Sequence, residues 1–170
     1  LTTILAALAA LGTSAALPAS AGPLVGNDPF VAPAGRQDWH IFNANTHKCL
    51  EIENSTLDNG GQAQQWSCAN IATMRWTAVP VDGIWFRLIN ANSGKCLEIE
   101  NSSFDNGGNA QQWTCGSYNM QWRTVRAGYA WHIVNRLSGK CLEIENSSGD
   151  NGARAQQWQC ADIPTMQWFS

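Results

Sequence analysis

The chain has 170 residues, with 10 Lys and Arg against 13 Asp and Glu, for a formal net charge of −3. That length suits one domain with a short leader. A mildly acidic chain without a block of like charges excludes a nucleic-acid surface and a polybasic face for anionic membranes.

Leu1 to Ala21 is an apolar Ala/Leu run ending Leu17-Pro18-Ala19-Ser20-Ala21, a small-x-small pattern with cleavage expected after Ala21. No Lys or Arg precedes it, so the chain is expected to begin inside a signal peptide. Gly12, Ser14 and Pro18 interrupt a run already short for a membrane span, so no membrane insertion is expected. Residues 22–37, rich in Pro, Gly, Ala and Val, read as an N-terminal extension with little structure of its own. The folded domain is expected over 38–170, in a secreted, extracellular protein.

Past the extension the chain repeats itself. Lys48-Cys49-Leu50-Glu51-Ile52-Glu53-Asn54-Ser55 returns as Lys95 to Ser102 and as Lys140 to Ser147, with the cysteines 47 and then 45 residues apart. Each copy leads to a second block: Gln64-Gln65-Trp66-Ser67-Cys68, Gln111-Gln112-Trp113-Thr114-Cys115 and Gln156-Gln157-Trp158-Gln159-Cys160. A period of this size marks one supersecondary unit used three times, over about 39–79, 86–125 and 131–169. The 6 cysteines allow 15 pairings, and threefold repetition favours Cys49–Cys68, Cys96–Cys115 and Cys141–Cys160. Each closed loop would stabilise the fold by roughly 3 kcal/mol in the chain-entropy model.

Within a repeat the elements come in a fixed order. An aromatic-led strand opens each copy: Trp39 to Asn43, Phe86 to Asn90 and Trp131 to Asn135. After a short turn, Cys-Leu-Glu-Ile-Glu alternates, so Leu50 and Ile52 face one way while Cys49, Glu51 and Glu53 face the other. Loops with Asp58-Asn59-Gly60-Gly61, Asp105-Asn106-Gly107-Gly108 or Asp150-Asn151-Gly152 follow, a turn chemistry that tolerates positive φ. The third strand is Gln64 to Cys68 and its counterparts, and the fourth is Thr73 to Thr77, Asn119 to Arg123 and Thr165 to Phe169. Four strands in each of three repeats predict an all-β fold of about twelve strands sharing one core.

With Cys49 opposite Cys68, antiparallel pairing sets Glu51 against Trp66 and Glu53 against Gln64. The same pairing sets Glu98 by Trp113, Glu100 by Gln111, Glu143 by Trp158 and Glu145 by Gln156. A two-residue register error would exchange partners but not faces. A carboxylate beside an indole, with amides at hand, suits a sugar, whose CH face packs on the ring while adjacent hydroxyls donate to the acid. Trp76, Trp122 and Trp168 are expected in the core; for Trp66, Trp113 and Trp158 a core place and a place in a binding site both stand.

At these residues the chain closely resembles the ricin-type β-trefoil lectins, also known as carbohydrate-binding module family 13. The likeness covers 39–169 and rests on three copies of Cys-Leu-acid with Gln-x-Trp-x-Cys. It implies a β-trefoil with pseudo-threefold symmetry, a six-stranded barrel capped by three hairpins. It also implies shallow pockets, one per repeat, for galactose-type sugars, xylan fragments or other glycans, including those of cell-surface glycoconjugates. The resemblance places the pocket acid on Glu51, Glu98 and Glu143, where the family commonly has Asp. It places the stacking aromatic on Trp66, Trp113 and Trp158, and a helper amide on Gln64, Gln111 and Gln156. A further sugar-contacting asparagine is matched at Asn119, with Thr73 and Thr165 in the other repeats. The family's closing Gln-x-Trp is here Met74-Arg75-Trp76, Met120-Gln121-Trp122 and Met166-Gln167-Trp168. Methionine cannot give the amide hydrogen bonds that orient the acid and hold the turn, so weaker binding and a changed preference are expected. Repeat 2 is the best-equipped pocket on this reading.

Neither a cofactor nor a metal site is expected. The Asp-Asn-Gly loops lack the alternate oxygen ligands and distal glutamate of a calcium loop, and the cysteines lack zinc spacing. Catalysis has one foothold, the Glu51/Glu53 pair, whose Cβ atoms would lie roughly 6.5–7 Å apart on one strand face. Three equal copies argue against an enzyme, because glycoside cleavage needs two carboxylates in unlike environments. The other reading is a protein-binding trefoil, a secreted inhibitor or adhesive factor without sugar recognition. Near-identical loops favour the multivalent glycan binder.

Overall fold

A computed structural model describes residues 38–170; the leader expected over 1–21 and the extension over 22–37 lie outside the described residues. The first repeat supplies β1 (Trp39–His40), β2 (Phe42–Asn43), β3 (Cys49–Ile52), β4 (Ala63–Trp66) and β5 (Arg75–Asp82). The second supplies β6 (Trp85–Asn90), β7 (Cys96–Ile99), β8 (Gly108–Trp113) and β9 (Trp122–Ala127). The third supplies β10 (Ala130–Asn135), β11 (Cys141–Ile144), β12 (Ala155–Trp158) and β13 (Trp168–Phe169).

β1 pairs with β5, β5 with β6, β6 with β9, β9 with β10 and β10 with β13, and β13 returns to β2. Because β1 and β2 are two halves of one strand broken at Ile41, these strands close into a six-stranded barrel. The hairpins β3–β4, β7–β8 and β11–β12 make the second layer. They join one another through β8 with β12 and through bridges at Gln62–Gln111 and Gln64–Arg154. This is the expected β-trefoil; the split first strand brings the strands among the described residues to 13.

The alternation read from the sequence holds on its apolar side. Leu50, Leu97, Leu142, Ile52, Ile99 and Ile144 are buried in one core with Trp76, Trp122 and Trp168. Each of these indoles would strand a donor inside that core, and each instead donates Nε1 to the carbonyl of Leu50, Leu97 or Leu142 at 2.9–3.0 Å. The pseudo-threefold arrangement is closed by one amide, since Gln62 Nε2 donates to the carbonyls of Ala63, Ala110 and Ala155 at 2.8, 2.7 and 3.3 Å.

Three expectations are corrected. The hairpin register pairs Cys49 with Trp66 and Glu51 with Gln64, two residues away from the cysteine-to-cysteine register, and likewise in the other repeats. The disulfides do form as Cys49–Cys68, Cys96–Cys115 and Cys141–Cys160, with Cα atoms 5.0–5.1 Å apart. Such a bond requires proximity but not membership of the ladder; Cys68 lies beyond the end of β4, where the chain has left the strand. Second, β3 stops at Ile52 and does not include Glu53, because Asn54 turns into the left-handed region at φ 53° within a 3-10 turn. Third, the expected fourth strands begin late: Thr73-Met74, Asn119-Met120 and Thr165-Met166 form 3-10 turns ahead of β5, β9 and β13.

Repeats are clasped together by a glutamine that the sequence reading passed over. Gln112 is fully buried on β8, and its Nε2 reaches back to the carbonyls of Thr56 and Asp58 in repeat 1, both at 2.9 Å. Gln157 does the same to Ser103 and Asp105, and Gln65 to Ser148 and Asp150. Each Oε1 accepts a hydroxyl from its own repeat: Thr46, Ser93 or Ser138. Every loop carrying Asp-Asn-Gly is therefore held against the following repeat. The signal was present in the sequence, as a second glutamine repeated in all three copies.

Candidate functional site

Each repeat carries one shallow cavity at the end of its hairpin, with volumes of about 270, 220 and 470 Å³ in repeats 1, 2 and 3. The same types of side chain line all three. In repeat 1 they are Glu51, Gln64, Trp66 and Met74; in repeat 2, Glu98, Gln111, Trp113 and Met120; in repeat 3, Glu143, Gln156, Trp158 and Met166. The two-residue change of register leaves each set on its face, as a period of two requires.

The acids are buried, at 5–7% exposure, whereas the tryptophans are 41–42% exposed and present open ring surface. Those indoles are therefore not core. Gln64, opposite Glu51, donates Nε2 to its Oε1 at 2.9 Å; Gln111 does so to Glu98 at 2.9 Å and Gln156 to Glu143 at 2.8 Å. Burial raises the Glu51 and Glu143 carboxyls above the ordinary value of 4.5, and the glutamine hydrogen bonds partly offset that rise.

Repeat 2 differs. Asn119 donates Nδ2 to Glu98 Oε2 at 2.9 Å and to the carbonyl of Ile99 at 3.0 Å, and its own carbonyl accepts the Ser117 hydroxyl. Thr73 and Thr165, in the same place, are too short to do this, and their buried hydroxyls have no hydrogen-bond partner.

The methionines line the cavities and also hold the turn after the second cysteine. Met74 Sδ accepts the Ala69 N–H at 3.2 Å, Met120 the Gly116 N–H at 3.0 Å and Met166 the Ala161 N–H at 3.3 Å. Sulfur is a weak acceptor, so it replaces only part of what an amide would supply.

Each cavity also draws on the preceding repeat. A Cβ built on Gly60, Gly107 or Gly152 would meet the indole edge of Trp113, Trp158 or Trp66 at 3.6–3.9 Å, and all three glycines have φ of 85–87°. Beside them, Asn59, Asn106 and Asn151 accept the backbone N–H of Thr114, Gln159 and Ser67 at 2.9–3.0 Å. The Asp-Asn-Gly loops thus back the tryptophans of the next repeat, a role invisible within a single copy.

Sequence reasoning also missed Asn54, Asn101 and Asn146, exposed residues that line the cavities. Their only signal was recurrence in each copy. Glu53, Glu100 and Glu145 line none of these three cavities; Glu100 accepts the Asn109 amide at 3.0 Å, and Glu145 the Arg154 N–H at 3.2 Å. The carboxylate pair on one strand face is thereby removed.

A buried acceptor, a fixed amide and an open indole suit a small ligand with hydroxyl donors on one side and an apolar face on the other. The model of the ricin-type β-trefoil lectin domain-like family matches residues 27–113 and 118–170. No curated protein matches the chain in sequence. Among solved structures, the designed threefold-symmetric protein ThreeFoil is 31% identical with a TM-score of 0.75, over 77% of this chain and 95% of that one. An exo-β-1,3-galactanase from Clostridium thermocellum is 28% identical with a TM-score of 0.76; the match covers 79% of this chain and 30% of the galactanase. The Rhizoctonia solani agglutinin, 16% identical over 81% of this chain and 96% of its own, shares the fold at a TM-score of 0.72. By sequence model, closed barrel and threefold cavities alike, the chain belongs to the ricin-type β-trefoil lectin domain-like family.

Proposed function

We propose that this protein is a secreted, multivalent lectin that binds galactose-type or xylan-like glycans without cleaving them. One observation carries the reading. Each of the three cavities sets an exposed indole beside a buried glutamate with a hydrogen-bonded glutamine. The sugar's CH face lies on Trp66, Trp113 or Trp158, and two of its hydroxyls donate to Glu51, Glu98 or Glu143. Gln64, Gln111 and Gln156 keep the acid from rotating and offer their own carbonyl oxygens as acceptors. The galactanase relative supports the galactose-type arm, and three like cavities support binding through avidity. The single glutamate in each cavity supports binding over hydrolysis, since cleavage draws on two carboxylates.

A glycan array probed with the purified protein tests this. Selective binding to galactosides or xylan-like chains, with no reducing sugar released, is expected. A blank array from well-folded protein sinks the proposal and turns attention to a protein partner.

The raised carboxyls of Glu51 and Glu143 add a pH prediction. Accepting two hydroxyls requires the ionised acid, so affinity at sites 1 and 3 falls as pH drops through a midpoint above 4.5. Their effect on folding has the opposite sign: ionising a buried acid is unfavourable, so the fold loses stability as pH rises through the same midpoint. Titrating glycan binding by Trp113→Ala, which leaves only sites 1 and 3, checks the first; a midpoint at or below 4.5 contradicts it.

A further inference from the structure

The three cavities are not equivalent, and the difference lies on one wall. Ile71, Ser117 and Ile163 occupy the same structural position, each immediately ahead of the 3-10 turn that carries Met74, Met120 or Met166. Each carbonyl accepts the N–H of that methionine, at 3.2, 3.3 and 3.1 Å. All three line their cavities. Repeat 2 reaches this position with one residue fewer after its second cysteine, and places a hydroxyl where its neighbours place a sec-butyl group.

Ile71 and Ile163 are 43% and 38% exposed, so each presents apolar surface to the cavity it lines. Beneath them stand Thr73 and Thr165, which leave the acid with the single Gln64 or Gln156 hydrogen bond. In repeat 2, Ser117 and Asn119 bond to each other and Asn119 bonds to the acid, so a hydroxyl and an amide stand where repeats 1 and 3 have an isoleucine and a threonine. The cavities at repeats 1 and 3 thus offer one carboxylate oxygen that no side chain holds, and an isoleucine in addition to the indole and the methionine. The cavity at repeat 2 has the indole and the methionine but no isoleucine.

Resting on the lectin reading above, we infer that the protein has two kinds of site. Sites 1 and 3 prefer a pyranose carrying a methyl-bearing substituent, which packs on Ile71 or Ile163, and site 2 prefers the plain, fully hydroxylated ring. An acetamido group, a 6-deoxy carbon and an O-methyl ether share this chemistry.

The test measures calorimetric affinities of free galactose, which carries no methyl group, and of N-acetylgalactosamine, 6-deoxygalactose and an O-methylated galactose. It uses Trp113→Ala, with sites 1 and 3 live, and the double variant Trp66→Ala/Trp158→Ala, with site 2 live. Trp113→Ala should favour at least one methyl-bearing sugar by about fourfold, the worth of one buried methyl group. The double variant should show no such preference. Adding Ile71→Ser and Ile163→Ser to Trp113→Ala should erase the preference, and Ser117→Ile in the double variant should create it. The pattern across the three sugars says which substituent is read. Equal rankings in the two backgrounds overturn this inference while leaving the lectin reading intact; no binding by wild type overturns both.

Discussion

Trp113→Ala is expected to abolish most binding at the second site, by roughly 10- to 100-fold, and to leave the fold untouched. The ring is 41% exposed and lies outside the core cluster, so its removal opens no cavity inside the protein. What is lost is the platform for the sugar's apolar face, worth about 1.5–3 kcal/mol for a large side chain brought fully into contact. Site 2 should also suffer the largest loss of the three on equivalent substitution. Glu98 alone has both oxygens held, one by Gln111 and one by Asn119, and a pre-organised acceptor forfeits less on binding than a mobile one. Affinities of Trp66→Ala, Trp113→Ala and Trp158→Ala, measured on one immobilised glycan, check the ranking, and equal losses would contradict it. Trp122→Ala makes the contrast. That indole is fully buried and its Nε1 holds the Leu97 carbonyl at 3.0 Å, so its loss should cost about 3–5 kcal/mol of stability. Against a total near 5–15 kcal/mol, denaturant unfolding should show a severely weakened protein.

The second large effect is expected at Gln112, which touches no ligand. Substitution by alanine removes the bonds to the Thr56 and Asp58 carbonyls and the acceptor for Ser93, all partly or fully buried. At about 1–3 kcal/mol for each buried group left unpaired, a loss of roughly 2–4 kcal/mol follows once some relaxation is allowed. The same clasp holds the loop whose Gly60 backs Trp113. Glycan affinity at site 2 should therefore fall several-fold as well, although Gln112 does not line the cavity. Unfolding curves and site-2 binding in a Trp66→Ala/Trp158→Ala background measure the two consequences separately. A stability change below about 0.5 kcal/mol would mean that the clasp is replaceable by water.

Much of this molecule is legible in its amino-acid sequence. Repetition alone placed the disulfides, and alternation in Cys-Leu-Glu-Ile separated Leu50 and Ile52 from Glu51. Because side chains in a strand alternate with a period of two, even the wrong partner for Glu51 left it on the right face with Gln64 and Trp66. The acid, amide and indole of each cavity were thus legible as a set.

What failed did so where local pattern yields to backbone geometry or to another repeat. The register slipped because a disulfide constrains a distance and not a ladder, and β4 ends two residues short of Cys68. Glu53 left the strand because Asn54 adopts a left-handed turn, which no hydropathy period reports. The exposure of Trp66, Trp113 and Trp158 was undecidable from sequence, since an indole between polar residues fits a core or a cavity equally well. The sequence by itself determined which chemistry each repeat carries. Only the tertiary structure decided which of those groups meet, because each cavity is closed by a loop more than 50 residues away in the chain, such as Asn59 at Thr114, and contacts of that range follow from barrel closure.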